Sequence, residues 1–214
     1  MRTIYLVRHG LPDFGSPDNT PYYLGGGTDI NLHSSQIPEA ARLKQYFADK
    51  NIENYYTSPL KRAVQTLQAF LPAEMNYQVI EEAREISYGQ WEGKPKAEYF
   101  PLYQKSYLTE NAPPEAFPLG SESQDHAARR FLKAVEKTRG NCVLVAHGAV
   151  INLLVCLLKG VPYHHFLDGK NPYLGITGLI QDDQGNYSVQ FQEYVYGSET
   201  IPDSTNYYLR KGEN

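Results

Sequence analysis

The chain has 214 residues, enough to bury a substantial apolar core within one domain. Its 41% hydrophobic and 21% charged content is that of an ordinary globular protein, and a net charge of -4 gives no electrostatic reason to expect nucleic acid. The apolar run before Arg8 is too short for a signal peptide and no apolar stretch is long enough to span a bilayer, so a cytoplasmic protein with no membrane partner is expected.

In chain order, Thr3 to Val7 is a short β-branched and apolar run that reads as a buried strand. Leu11 to Ser34, rich in Gly, Pro, Asp and Asn, reads as a long loop. Ile37, Ala40, Ala41, Leu43 and Phe47 recur at near-helical spacing. After a weaker strand candidate at Glu53 to Thr57, Ser58 followed by Pro59 reads as a helix start, the serine capping and the proline at the first position.

Gln78 to Glu81 is another weak strand, and the proline-rich span Tyr88 to Gly120 reads as irregular. Its Tyr99, Phe100, Tyr103, Tyr107 and Phe117 suggest either an aromatic wall for a ring-bearing ligand or plain packing. Ser121 with Gln124 fits a capping box ahead of a helix carrying Ala127, Phe131, Leu132 and Val135. Asn141 to Ala146 is a second fully apolar strand, and Gly148 turns it into the apolar helix Ala149 to Leu158. Weaker strands at Gly175 to Ile180 and Ser188 to Tyr196 follow. Strands apolar at every position suit a parallel sheet covered on both faces, so the fold class is α/β.

Two short segments carry chemistry. Arg8 and His9 directly follow the first strand, and His147 directly follows the Asn141 to Ala146 strand. In a doubly wound sheet the carboxyl ends of the strands form the ligand crevice, so both histidines would emerge at one edge. Each precedes a glycine, Gly10 or Gly148, which permits close backbone approach. Arg62, in the first turns of the helix after Ser58, would complete with Arg8 a bidentate clamp for a phosphoryl group. Glu81, Glu82, Glu85 and Glu92 lie close together, and the residues alone do not choose a proton donor among them. Cys142 and Cys156 lack zinc-like spacing and read as packed thiols, so no metal is expected.

LVRHG, SPLKRAVQT, REISYGQWEG and VAHG, in this order and spacing, resemble the four signatures of the histidine phosphatase superfamily, also called phosphoglycerate mutase-like. The resemblance covers most of the chain. It implies a three-layer αβα sandwich with a mostly parallel central sheet, as one domain over residues 1–214 with a loop and helical lid around 88–120 and a loose tail after about 198. It implies His9 as nucleophile, Arg8, Arg62 and His147 as ligands of the phosphoryl oxygens, and Glu85 as proton donor. No cofactor is implied; the partners are a small-molecule phosphate ester and its product, inorganic phosphate, and both a monomer and a homodimer stay open.

The chain departs from the family pattern in the loop after RHG, where Asn19 is at most a candidate phosphate ligand, and at Gln36, where a glycine is frequent. The implied reaction is hydrolysis of a phosphate monoester through a phosphohistidine. The alternatives are a cofactor-dependent phosphoglycerate mutase and a non-catalytic phosphate-binding module. Gly148-Ala149-Val150 is closer to phosphatase-type members such as the α-ribazole phosphatases than to the Gly-Asn-Ser of mutases.

Overall fold

The computed structural model describes residues 1–15, 26–168 and 171–193. In chain order its elements are β1 (Arg2–Arg8), α1 (Gln36–Ala41), α2 (Leu43–Phe47), β2 (Asn54–Thr57), α3 (Lys61–Phe70), β3 (Tyr77–Val79), α4 (Lys96–Ser106), α5 (Gln124–Lys137), β4 (Cys142–Ala146), α6 (Gly148–Lys159), β5 (Ile176–Gln181) and β6 (Tyr187–Glu193). The strands form one sheet in the order β3-β2-β4-β1-β5-β6. The first four in that row run parallel, and β5 and β6 close the far edge antiparallel.

Successive residues of β1 and β4 serve opposite faces, which is why both strands are apolar throughout. Ile4, Leu6, Cys142, Leu144 and Ala146 pack in one core with α5 and α6. Tyr5, Val7, Val143 and Val145 pack in the other with α1, α2 and α3. The sheet is therefore the middle layer of an αβα sandwich, as expected.

After β1 the chain leaves toward the face carrying α1 and α2, and after β4 toward the face carrying α6. Diverging exits from neighbouring parallel strands open a crevice at their carboxyl ends. The register pairs Arg8 with Ala146, so His9 and His147 are the next residue of each strand on the same edge.

Several boundaries differ from expectation. The helix predicted from Ser58 begins at Lys61, with Leu60 in the cap position, because Ser58 turns its hydroxyl toward His147 while still accepting the N–H of Leu60 at 3.3 Å. The cap of α5 is Ser123, whose Oγ accepts the N–H of His126 at 3.2 Å; Ser121 instead pairs with Tyr88 in an isolated bridge. Ile37 is exposed, and the helix predicted through Phe47 is split into α1 and α2.

The span 88–120 contains α4, with Pro101 inside it. Tyr99 and Tyr103 on this helix, and Tyr107 at its end, are spaced one turn apart and are at most 1% exposed. Tyr107 stacks on Tyr103 at 5.1 Å and meets Tyr88 at 5.3 Å, Phe117 at 5.0 Å and Trp91 at 6.4 Å edge to face, measured between ring centroids. These tyrosines are core, so the aromatic-wall reading fails for them. Cys142 and Cys156 are free and buried, as expected of packed thiols.

Candidate active site

At the carboxyl ends of β1 and β4 the two histidines meet edge to face, their ring centroids 5.0 Å apart. His9 is 4% exposed and His147 fully buried. The Nδ1 of His9 lies 2.7 Å from the carbonyl oxygen of Gly10. A carbonyl can only accept, so Nδ1 carries the hydrogen and Nε2 of the neutral ring keeps its lone pair. Arg62 donates to that Nε2 through Nε at 3.2 Å, consistent with this tautomer.

Burial first, then the charges of Arg62 and Arg8, hold the His9 pKa well below its ordinary value. Burial, Arg62 and His9 do the same to His147. Both rings are neutral near pH 7. The Nε2 of His147 is 2.7 Å from Ser58 Oγ, and its buried Nδ1 has no protein partner among the described residues.

The two arginines are held by backbone. Arg8 donates to the carbonyl oxygen of Asn171 at 2.6 Å and lies over the ring of Tyr173, 4.2 Å from its centroid. A side chain on Gly148 would put its Cβ 2.9 Å from Arg8 Cζ and Nε, so the absent side chain at 148 is what admits the guanidinium. Arg62, in the first turn of α3 and 2% exposed, donates to the carbonyls of Thr28 and Gly26 at 2.7 and 2.8 Å. It thereby fastens Gly26 and Thr28, in the later part of the long loop, to the site. Gln36 does similar work: buried, it accepts the N–H of Leu11 at 3.2 Å, fixing the turn that follows His9 and Gly10.

Of the four clustered glutamates, Glu85 is the one whose carboxylate meets the turn after His147. Its Oε2 accepts the N–H of Ala149 at 3.2 Å, and its Oε1 those of Val150 at 3.1 Å and Ile86 at 3.0 Å. It thus caps the N-terminus of α6, where a carboxylate is favoured. Burial nevertheless raises its pKa, against the opposing pull of the Ile86 amide, Arg62 and the α6 amides. Glu81 pairs with Arg84, Glu82 with Lys137, and Glu92 accepts the N–H of Tyr88.

Arg8, His9, Arg62, Glu85 and His147 therefore converge at one edge of the sheet. Asn19 lies outside the described residues. His164 and His165 do not join the cluster, His165 pairing instead with exposed Asp168. Tyr173 and Ser58 are the participants that sequence reasoning missed. Tyr173 sits just ahead of an antiparallel strand, and no local motif announces its place beneath Arg8 and 5.7 Å from the His9 ring. Among the described residues no group of three or more His, Cys, Asp or Glu could hold a metal ion, and no helix is long and apolar enough to cross a membrane.

A neutral imidazole in the field of two guanidinium groups, with a carboxyl of raised pKa at the same sheet edge, suits phosphoryl transfer. Known proteins with phosphatase and mutase names are similar to the chain. Phosphoserine phosphatase 1 of Hydrogenobacter thermophilus is 29% identical over 174 residues, 78% of this chain and 80% of that protein. The 2,3-bisphosphoglycerate-dependent phosphoglycerate mutase of Thermoplasma acidophilum is 25% identical over 158 residues, 72% of this chain and 75% of that protein. The structure of a phosphoserine phosphatase from Entamoeba histolytica with 3-phosphoglyceric acid superposes with a TM-score of 0.74 at 25% identity, covering 91% of this chain and 98% of that one. A structure from Escherichia coli, provisionally assigned as an α-ribazole-5'-phosphate phosphatase, shares the fold with a TM-score of 0.73 at 19% identity, over 90% and 96% of the two chains. The sequence profile of the histidine phosphatase superfamily (branch 1) matches residues 4–193, which take in all five converging side chains, and the chain belongs to that superfamily.

Proposed function

We propose that this histidine phosphatase hydrolyses a small phosphate monoester through a phosphohistidine on His9, without a metal ion or other cofactor. The observation that carries the reading is the hydrogen-free Nε2 of His9, set by the Nδ1 bond to Gly10 and accepting from Arg62 Nε at 3.2 Å. In the first step Nε2 attacks phosphorus, the N–P bond forms and the ester P–O bond breaks. Glu85 in its acid form gives its proton to the departing alkoxide. In the second step water attacks the phosphohistidine, Glu85 recovers a proton, and inorganic phosphate leaves with the imidazole restored.

Arg8, Arg62 and His147 supply donors and charge to the phosphoryl oxygens as negative charge redistributes. A neutral His147 with hydrogen on Nδ1 accepts from the Ser58 hydroxyl at Nε2 and turns its remaining N–H toward the phosphoryl group. Burial raises the pKa of Glu85, which favours the acid form that the first step needs.

The substrate class is a phosphorylated metabolite, with phosphoserine and 3-phosphoglycerate first to be tried because relatives carry those names or ligands. The mutase relative keeps a second reading in play, in which the phosphoryl group returns to a sugar acid. Against it stands Ala149-Val150 after Gly148, whose N–H groups are both taken by Glu85. Release of nitrophenolate from p-nitrophenyl phosphate in excess chelator is the test. Rapid release is expected; release only on adding metal, or phosphate exchange between sugar acids with no hydrolysis, overturns the reading.

A further inference from the structure

We propose that Arg130 is a positioning residue for Glu85, holding the strap that carries the acid by its backbone. The proposal rests on reading Glu85 as the proton donor. Residues 82–87 follow β3 but belong to no strand, having only a single 3-10 turn at Glu81–Ala83. Something other than ladder hydrogen bonds must therefore fix where the Glu85 carboxyl points.

The guanidinium of Arg130, reaching out from α5, supplies those bonds. Its Nη1 donates to the carbonyl oxygens of Glu82 at 2.6 Å and Arg84 at 2.9 Å. Its Nη2 donates to the carbonyl of Glu85 at 3.4 Å and to Glu122 Oε2 at 2.7 Å, while Nε donates to Glu122 Oε1 at 2.7 Å. Glu122 completes the frame: its backbone N–H donates to the Ser87 carbonyl at 2.9 Å, and its Oε2 accepts the Ser87 N–H at 3.4 Å. Three carbonyls of the strap and its far end are thus tied to one ion pair.

Arg130 and Glu122 are 19% and 10% exposed, so all of these bonds except the exposed one to Arg84 are partly withdrawn from water. Beside them lies a cavity lined by Arg84, Glu85, Ser87, Glu122, His126 and Arg130, while Ala83 and Ile86 seat the other side of the strap in the core. Only a planar five-donor group can reach carbonyls and a carboxylate together, which lysine cannot do.

The test compares kcat/KM for p-nitrophenyl phosphate, whose leaving group departs unprotonated, with that for an alkyl phosphate, whose leaving group needs the acid. In the full-length protein Arg130→Met is expected to lower the alkyl value about 10- to 100-fold and the nitrophenyl value less than about threefold. Arg130→Lys should recover part of the alkyl loss. Placed on Glu85→Gln, Arg130→Met should add nothing further for the alkyl ester, since both changes remove one function.

Equal losses on both esters, no loss on either, or additive losses in the double variant would overturn the proposal. Should Arg130→Met fail to fold, Glu122→Gln, which weakens the same frame while keeping its volume, is read by the same criteria. If Glu85→Gln itself slows both esters equally, the acid assignment falls and this proposal with it; a selective Glu85→Gln beside an unselective Arg130 variant overturns the positioning role alone.

Discussion

The edge of the sheet where β1 and β4 end and the span from Tyr88 to Gly120 are both rich in side chains with chemical potential, yet they use them in opposite ways. At the edge, His9, His147, Arg8 and Arg62 are buried or partly buried polar groups, and backbone carbonyls and the Ser58 hydroxyl hold them in place. In the span, Tyr99, Tyr103 and Tyr107 are fully buried rings that spend their surface on one another. Polar burial costs stability and is kept where it does work, whereas aromatic burial is itself the stabilising term. A buried residue in the first region should therefore matter for turnover, and one in the second for folding.

The largest separation expects His9→Asn to lower turnover of p-nitrophenyl phosphate by about 10⁴-fold or more while the protein stays folded, since the nucleophile has no substitute. A residual rate within tenfold of the parent would break the contrast. Next, Tyr107→Ala should cost about 3–5 kcal/mol of unfolding free energy, the range for emptying a buried aromatic site. Denaturant titration measures the loss; the fraction that remains folded should keep the parent KM, and a large KM change would return this ring to the substrate.

A smaller effect is expected of Gly148→Ala, which drives a methyl against Arg8. It should lower kcat/KM about 10-fold and weaken inhibition by inorganic phosphate, at a stability cost of about 1–3 kcal/mol from overpacking. Unchanged phosphate inhibition would show that Arg8 does not need that space.

The smallest concerns pH. Both histidines have folded pKa values below their unfolded ones, so their contribution is present above about pH 6.5 and lost as pH falls, when only the unfolded chain takes up protons. Below about pH 6 each should contribute a slope of about 1.4 kcal/mol per pH unit, and His147→Asn should remove one such share. Glu85, whose folded pKa is raised, acts in the other sense: its share is present at pH below its unfolded value and lost as pH rises through the folded one. Equal slopes in parent and variant would mean that His147 is already charged in the fold.

How much of this was legible in the sequence follows the same division. β1 and β4 could be read because both of their faces are covered, and the histidines because each directly follows such a strand. Arg62 was legible through its place at a helix start, even though the helix begins three residues after Ser58. Glu85 could not be told from its neighbours by residue type; that needed the family resemblance, and the fold distinguishes it only through its contact with α6. Tyr173 and Arg130 were illegible because each acts across the fold on segments far away in the chain. α4 was hidden by Pro101 inside it, and its tyrosines, polar at one end and apolar at the other, read more readily as packing than as a ligand wall.

The most direct measurement is to mix enzyme with phosphorus-labelled substrate, quench within a turnover in base, and locate the label by peptide mass spectrometry. The account predicts an acid-labile phosphoryl group on the imidazole of His9, lost in His9→Asn and accumulating when hydrolysis is slowed. Turnover with no trapped label, or with the label on another residue and unaffected by His9→Asn, would contradict it.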